Sequence, residues 1–317
     1  LIGYLLFGWA ILTKNLVLLF VSRMLPGFTG GNISIVFSAL ADISTPETRP
    51  KYFGLVGAAF GLGFILGPAI GGLLADPSVV SWFDHATPFW FTANLTGINI
   101  LLVKFIFRET LTARRQTEVS IFSGFKNMGK AFSLSNLRTI LIVTLFSTLG
   151  FNFFTQFFSV YCIRSFGTSI KMLGMTFAWT GIWLVMTQAV IVRRLTPRFK
   201  PSQILSWSIL ALSICVGMVL LPSSLAWVWA VQPFIAIFQG MSGPNLTTTV
   251  SAQADATQQG EIMGINQSMN SVGQAIPPII AGYLESLDPR YPMMAGASFI
   301  FLSWVVFVTL FKPKAKN

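Results

Sequence analysis

Nine long apolar blocks constrain this chain more than any single residue in it: they lie near 16–41, 52–75, 88–107, 139–163, 169–192, 203–221, 225–250, 262–284 and 291–311. Each is close to the roughly 20 residues that a helix needs to cross about 30 Å of hydrocarbon. Polar backbone cannot stay unpaired in lipid, so blocks of this length imply helices rather than exposed strands or loops. The composition agrees, with 53% of residues apolar and 10% charged, against about 25% charged in soluble chains. Soluble enzymes and DNA-binding modules are excluded. A tenth block, Leu1 to Leu12, rises only about 18 Å as a helix and is too short to span. The chain has no initiator Met, basic n-region or cleavage site there, so no signal peptide is read. The expectation is a chain truncated inside a helix, some two and a half helices short of a working whole.

The net charge of +11 would suit a polyanion, but its distribution points to a bilayer. If 42–51 faces the cytoplasm, then 108–138, 193–202, 251–261 and the tail after Phe311 do too, and these segments hold fifteen Lys and Arg. The opposite side holds four, Lys14, Arg164, Lys171 and Arg290. That asymmetry is the positive-inside bias, and nucleic acid is excluded as a partner. Cys162 and Cys215 lie in or beside apolar blocks without CxxC or Cys/His spacing, so neither a disulfide framework nor a metal site is indicated.

The longest polar segment, 108–138, carries Ile121, Phe122, Phe125, Met128 and Phe132 at helical spacing with Lys126 and Lys130 between them. That is the pattern of a short helix lying in the headgroup region; a disordered basic linker fits the composition equally well. The segment separates two groups of spans that repeat one another. A shift of 213 places Gly27, Gly30, Asn32, Ser38, Ala39, Ala41 and Asp42 on Gly240, Gly243, Asn245, Ser251, Ala252, Ala254 and Asp255. A shift of 210 places Gly54, Gly63, Pro68 and Gly72 on Gly264, Gly273, Pro278 and Gly282. Repeats with the same membrane orientation predict two six-helix bundles related by an axis along the membrane normal. The fold expected is therefore an all-α membrane protein with an incomplete first bundle at 1–107, a central cytoplasmic loop at 108–138, a complete bundle at 139–311 and a basic cytoplasmic tail at 312–317.

Residues 54–72, GLVGAAFGLGFILGPAIGG, carry glycines and a proline at Gly54, Gly63, Gly67, Pro68, Gly71 and Gly72. The string resembles the antiporter motif G-x8-G-x3-G-P-x2-G-G of the major facilitator superfamily, and nearly the whole chain is similar to that family's twelve-helix drug:proton antiporters, which include tetracycline efflux proteins. Glycines four apart let a neighbouring helix approach backbone to backbone, and Pro68 removes one helical hydrogen bond. Such a stripe suits either a tight static contact or an element with two packings of similar energy, as alternating access requires. The resemblance favours the second, and implies that 1–107 corresponds to the family's third to sixth helices.

Arg23 sits about 12 Å into its block by the helical rise, where an ionisable group is costly and a functional candidate by default. RMLPG, residues 23–27, resembles the family's R-x-x-q-G, in which the Arg assists proton coupling; Pro26 departs from the polar residue expected. An Arg bonded to neighbouring carbonyls is the alternative. Asp42, Arg49 and Lys51 resemble the charged loop after the family's fourth helix, a cytoplasmic gate, and read equally as solvated helix ends. The resemblance places substrate between the bundles. There Asn152 and Gln156 share a helix face, Trp183 and Gln188 follow on the next span, and Gln232 and Gln239 on the tenth helix of the family. Amides among aromatics suit a bulky amphipathic ligand, and each serves equally well as interhelical glue.

None of the ten carboxylates falls at mid-membrane, and the one His, His85, lies in an outer loop. Either the titratable group of a proton-driven cycle lies upstream of Leu1, which the intact motif favours, or the protein is not proton-driven. No hydrolytic, redox or P-loop constellation occurs, so no cofactor, metal or enzymatic activity is expected. The reading is a monomeric secondary transporter of a bacterial inner membrane, exchanging amphipathic small molecules for protons in contact with lipid. A metabolite symporter or facilitator, or a non-transporting sensor of the same fold, is the alternative.

Overall fold

The computed structural model of the chain describes residues 1–29, 32–45, 47–110, 135–221, 224–253 and 258–312. Every regular element among them is helical, as the apolar blocks require. In chain order these are α1 (Ile2–Leu12), α2 (Leu16–Thr29), α3 (Asn32–Asp42), α4 (Arg49–Leu74), α5 (Thr87–Ile106), α6 (Ser135–Phe166), α7 (Ile170–Met186), α8 (Pro201–Met218), α9 (Leu225–Ser251), α10 (Gln259–Leu287) and α11 (Tyr291–Leu310). Past Met186, α7 runs on through a stretch of π-helix, Thr187–Val192, and a last turn at Arg193–Leu195. The expected headgroup helix around Phe122 and Phe125 and the tail beyond Lys312 lie outside the described residues.

Local sequence explains where the helices begin and end. Ser169 and Ser224 cap α7 and α9, each hydroxyl accepting from the backbone three residues on, Met172 N–H at 3.3 Å and Trp227 N–H at 3.2 Å. Pro88, Pro201 and Pro292 occupy first-turn positions of α5, α8 and α11, where a missing N–H costs nothing. Gly167, at φ +63°, ends α6 with the left-handed turn that a Cβ would oppose. Six helices are long and apolar enough to cross a bilayer among the described residues, at Thr87–Ile106, Leu137–Phe166, Met172–Leu195, Pro201–Met218, Leu225–Ser251 and Tyr291–Leu310. The blocks at 52–75 and 262–284 form α4 and α10, of 26 and 29 residues. Within the block at 16–41 the described helical residues are those of α2 and α3; residues 30 and 31 between them lie outside the described residues.

Two compact units result: Leu1–Ile33 with Leu66–Arg115, and Ser34–Ile65 with Gln116–Asn317. In the first, α1 packs on α2 and α5. Phe7 meets Phe89 with ring centroids 4.2 Å apart, and the backbones come close where side chains vanish: a Cβ on Gly8 would lie 2.8 Å from the Trp90 indole, and one on Gly3 2.8 Å from the ring of Pro26.

In the second unit α6 is the central post, packed on α10 and α11. A Cβ on Gly150 would fall 2.7 Å from the Gly296 carbonyl oxygen, and one on Gly296 2.9 Å from that of Gly150, so α6 and α11 cross backbone to backbone. Phe153 stacks on Phe299 just beside the crossing. Hydroxyls add to this joining: Ser303 donates to the Val143 carbonyl, again between α11 and α6, and Ser213 of α8 to the Ala297 carbonyl of α11, both at 3.0 Å. Lipid offers little hydrophobic drive for helix association, so small residues and hydroxyls of this kind do the joining.

Candidate functional site

Arg23 lies in the first unit, and its charge is met by aromatic faces. The guanidinium carbon stands 3.9 Å from the centroid of Phe7 and 5.6 Å from that of Phe89, a cation–π arrangement across α1, α2 and α5. Pro26, which departs from the family pattern, is the residue whose ring fills the space left by Gly3.

The Arg49 cluster is in the second unit. Arg49 opens α4 and its Nη1 donates to Ser251 Oγ at 3.0 Å at the end of α9. Ser251 donates in turn to Gln259 Oε1 at 2.9 Å, and Gln259 Nε2 returns to the Ser251 carbonyl at 3.0 Å. Three helices thus meet at one guanidinium. Burial pushes the Arg49 pKa down from its ordinary value, while the charges of Asp42 and Glu47 pull it back up. Lys51 is exposed.

The glycine string divides by environment. A Cβ on Gly54 would lie 2.7 Å from Gln188 Oε1, and on Gly57 2.7 Å from Gln188 Nε2. On Gly61 it would lie 3.0 Å from Val185. On Gly63, Gly67, Gly71 or Gly72 it would meet nothing within 4 Å among the described residues. Pro68 is within α4.

The contacts of Gln156, Gln188 and Trp179 share a cause that lies in the prolines. A proline inside a helix cannot donate, so the carbonyl four residues before it loses its partner. Pro233 frees Trp229, Pro244 frees Gly240 and Pro278 frees Gln274. Each carbonyl is met by a side chain from a neighbouring helix: Trp179 Nε1 donates to Trp229 O at 3.3 Å, Gln188 Nε2 to Gly240 O at 2.8 Å, and Gln156 Nε2 to Gln274 O at 3.4 Å. The first two join α7 to α9 and the third joins α6 to α10. Gln232, which is buried, accepts from Thr180 Oγ1 at 3.2 Å in the same α7–α9 seam. Trp183 packs edge-on against Trp179. The Trp183 indole N–H and Gln239 Oε1 are buried with no hydrogen-bond partner among the described residues. Asn152 donates to the Thr148 carbonyl at 2.8 Å and accepts from Gln156 at 3.3 Å.

A second seam between α6 and α10 was missed from the sequence. Thr144 Oγ1 donates to Asn266 Oδ1 at 3.0 Å, Thr148 Oγ1 to Asn270 Oδ1 at 2.7 Å, and Gln156 to Gln274 as above. Further along, Arg164 Nε pairs with Glu285 Oε1 at 2.9 Å. The signal was present as four-residue spacing, Thr144, Thr148, Asn152 and Gln156 against Asn266, Asn270 and Gln274. Those amides also explain why α10 falls short of the apolarity of its neighbours. Among the described residues no cluster of metal-binding side chains occurs.

Comparison with known proteins places these helices in a family. The profile of the Major Facilitator Superfamily matches residues 1–278. Multidrug resistance protein 1 of Bacillus subtilis (strain 168) is 29% identical over 280 residues, covering 88% of this chain and 69% of that one. Tetracycline resistance protein, class H, of Pasteurella multocida is 27% identical over 301 residues, covering 92% and 70%. In structure, the human organic anion transporter MFSD10 superposes with a TM-score of 0.72 at 18% identity over 96% of this chain and 74% of that one. The transporter FucP in its outward conformation gives 0.73 at 12% identity over 98% and 80%. At such identities these two show the fold alone.

Proposed function

This chain belongs to the Major Facilitator Superfamily, a family of multi-pass membrane transporters rather than enzymes, and from that premise we propose that it couples the efflux of amphipathic small molecules to proton entry across a bacterial inner membrane. The observation that carries the reading is the six-position glycine string on α4 in a chain whose relatives include proteins named for multidrug and tetracycline resistance. No nucleotide-binding loop is present, so a gradient supplies the work.

In this scheme the protein works as a monomer with its central loop and C-terminus in the cytoplasm, the orientation that the positive-inside bias favours. By the repeat, 1–107 and 139–311 are the two moving parts. Arg49, with Asp42 and Lys51, forms the cytoplasmic gate. Arg23 contributes a positive charge within the membrane to coupling. Trp183, Gln232 and Gln239, with the Asn152–Gln156 face, supply the aromatic and amide surface for substrate.

Vesicles holding the full-length protein and loaded with an amphipathic dye test the proposal. Efflux should rise with an imposed proton gradient and stop when a protonophore collapses it. Efflux indifferent to the protonophore would refute proton coupling.

A further inference from the structure

We propose that Gln188 is a positioning residue of the transport cycle, a releasable latch that keys α4 onto the α7–α9 pair through a seat between Gly54, Gly57 and the Gly240 carbonyl. The inference rests on the transport reading above, and moves Gln188 from the substrate surface to the mechanism of alternation.

Three independent features converge on this side chain. The first is an acceptor made for it. Pro244 leaves the Gly240 carbonyl without its helical donor, and Gln188 Nε2 fills the vacancy at 2.8 Å. The second is a backbone register that aims it. Gln188 lies in the π-helical stretch Thr187–Val192, and the extra residue in such a turn rotates side chains off the regular α-helical positions; π-turns are frequent at functional sites for this reason. The third is a space that only glycine leaves. A Cβ at Gly54 would stand 2.7 Å from Oε1 and one at Gly57 2.7 Å from Nε2, so a side chain at either position would push the amide end of Gln188 out of its present seat. Gly57 lies outside the six-position motif, so the seat is a feature of this contact and not of the motif alone. One turn on, a Cβ at Gly61 would meet Val185 at 3.0 Å and the Gly181 carbonyl at 3.4 Å, which extends the fit along α7.

The same amide shows why the latch can open. Its Oε1 is buried with no hydrogen-bond partner among the described residues. An unpaired buried acceptor costs free energy in the seated state, and that cost is recovered once the side chain leaves the seat and meets water or another donor. One end of the amide holds while the other favours release, as befits a contact between states of similar energy.

Accessibility of a cysteine beside the latch measures its state. With Cys162 and Cys215 replaced by alanine, Val192→Cys puts a thiol at a buried position one turn after Gln188, where the native side chain stands 4.0 Å from the place of a Gly54 Cβ. A water-soluble maleimide should label it slowly in the otherwise unaltered full-length protein. Gln188→Leu, which removes the amide, and Gly57→Ala, which crowds its seat, should each speed labelling about tenfold, the equivalent of one hydrogen bond of about 1.4 kcal/mol. Gly174→Ala on α7, where a Cβ meets nothing within 4 Å, should label at the unaltered rate. Unchanged labelling in both seat variants overturns the latch, as does equal acceleration in all three. The assay needs neither substrate nor gradient, so a full-length protein that labels as expected yet moves no dye would refute the transport reading and leave the latch standing.

Discussion

Asp84 shows how much local order one side chain can hold in the loop before α5. Its Oδ1 accepts from the Ala86 and Thr87 N–H groups at 2.9 Å and from the Thr87 hydroxyl at 3.0 Å, while Thr87 Oγ1 accepts from the Asp84 N–H at 3.0 Å. Burial works against the charged form, but these bonds and the nearby His85 outweigh it, and the carboxyl titrates below its ordinary range. Stability from a lowered pKa is complete above the unfolded value and fades as pH falls through the folded one. Thermal unfolding in detergent should therefore lose stability as pH falls below the ordinary aspartate range near about 4, and Asp84→Ala should cost about 1 kcal/mol at neutral pH and flatten that part of the profile. Arg49 makes a parallel case. Ser251→Ala deprives the guanidinium of its Nη1 acceptor and should lower stability by about 1–2 kcal/mol, read as a fall in unfolding temperature.

At the scale of elements, helices in this chain recognise one another by what they lack as much as by what they carry. The Gly150–Gly296 crossing leaves no room for a Cβ, so Gly150→Ala should destabilise the second unit by about 1–3 kcal/mol, measurable in the same unfolding assay. The α6–α10 seam is a second determinant. A double-mutant cycle of Thr144→Val with Asn266→Leu should give a coupling energy near 0.6 kcal/mol, as interhelical hydrogen bonds in membranes do; zero coupling would mean the 3.0 Å contact contributes nothing. These elements also mark how far the amino-acid sequence could be read. Long apolar blocks, capping serines and first-turn prolines locate most helices, because those signals act within one segment. The partners of Gln156 and Gln188 were hidden, because they are carbonyls released by prolines more than fifty residues away. The π-turn at Thr187–Val192 has no residue type that announces it. Arg49, read as a gate residue, has its Ser251 partner some two hundred residues on, although Ser251 was already matched to Ser38 in the repeat.

For the whole molecule, the glycine string carries the most specific claim. Gly67 has room for a Cβ in the structure described, so a bulkier residue there should leave expression and unfolding temperature unchanged. If the string serves a second packing, Gly67→Leu should nonetheless abolish transport. Normal flux in that variant would confine the string to a structural role. The measurement that bears most directly on the central claim is dye efflux from vesicles under a proton gradient of controlled size and sign. The account predicts outward flux that scales with the gradient, reverses when the gradient is reversed and vanishes in protonophore; flux that ignores the gradient would contradict it.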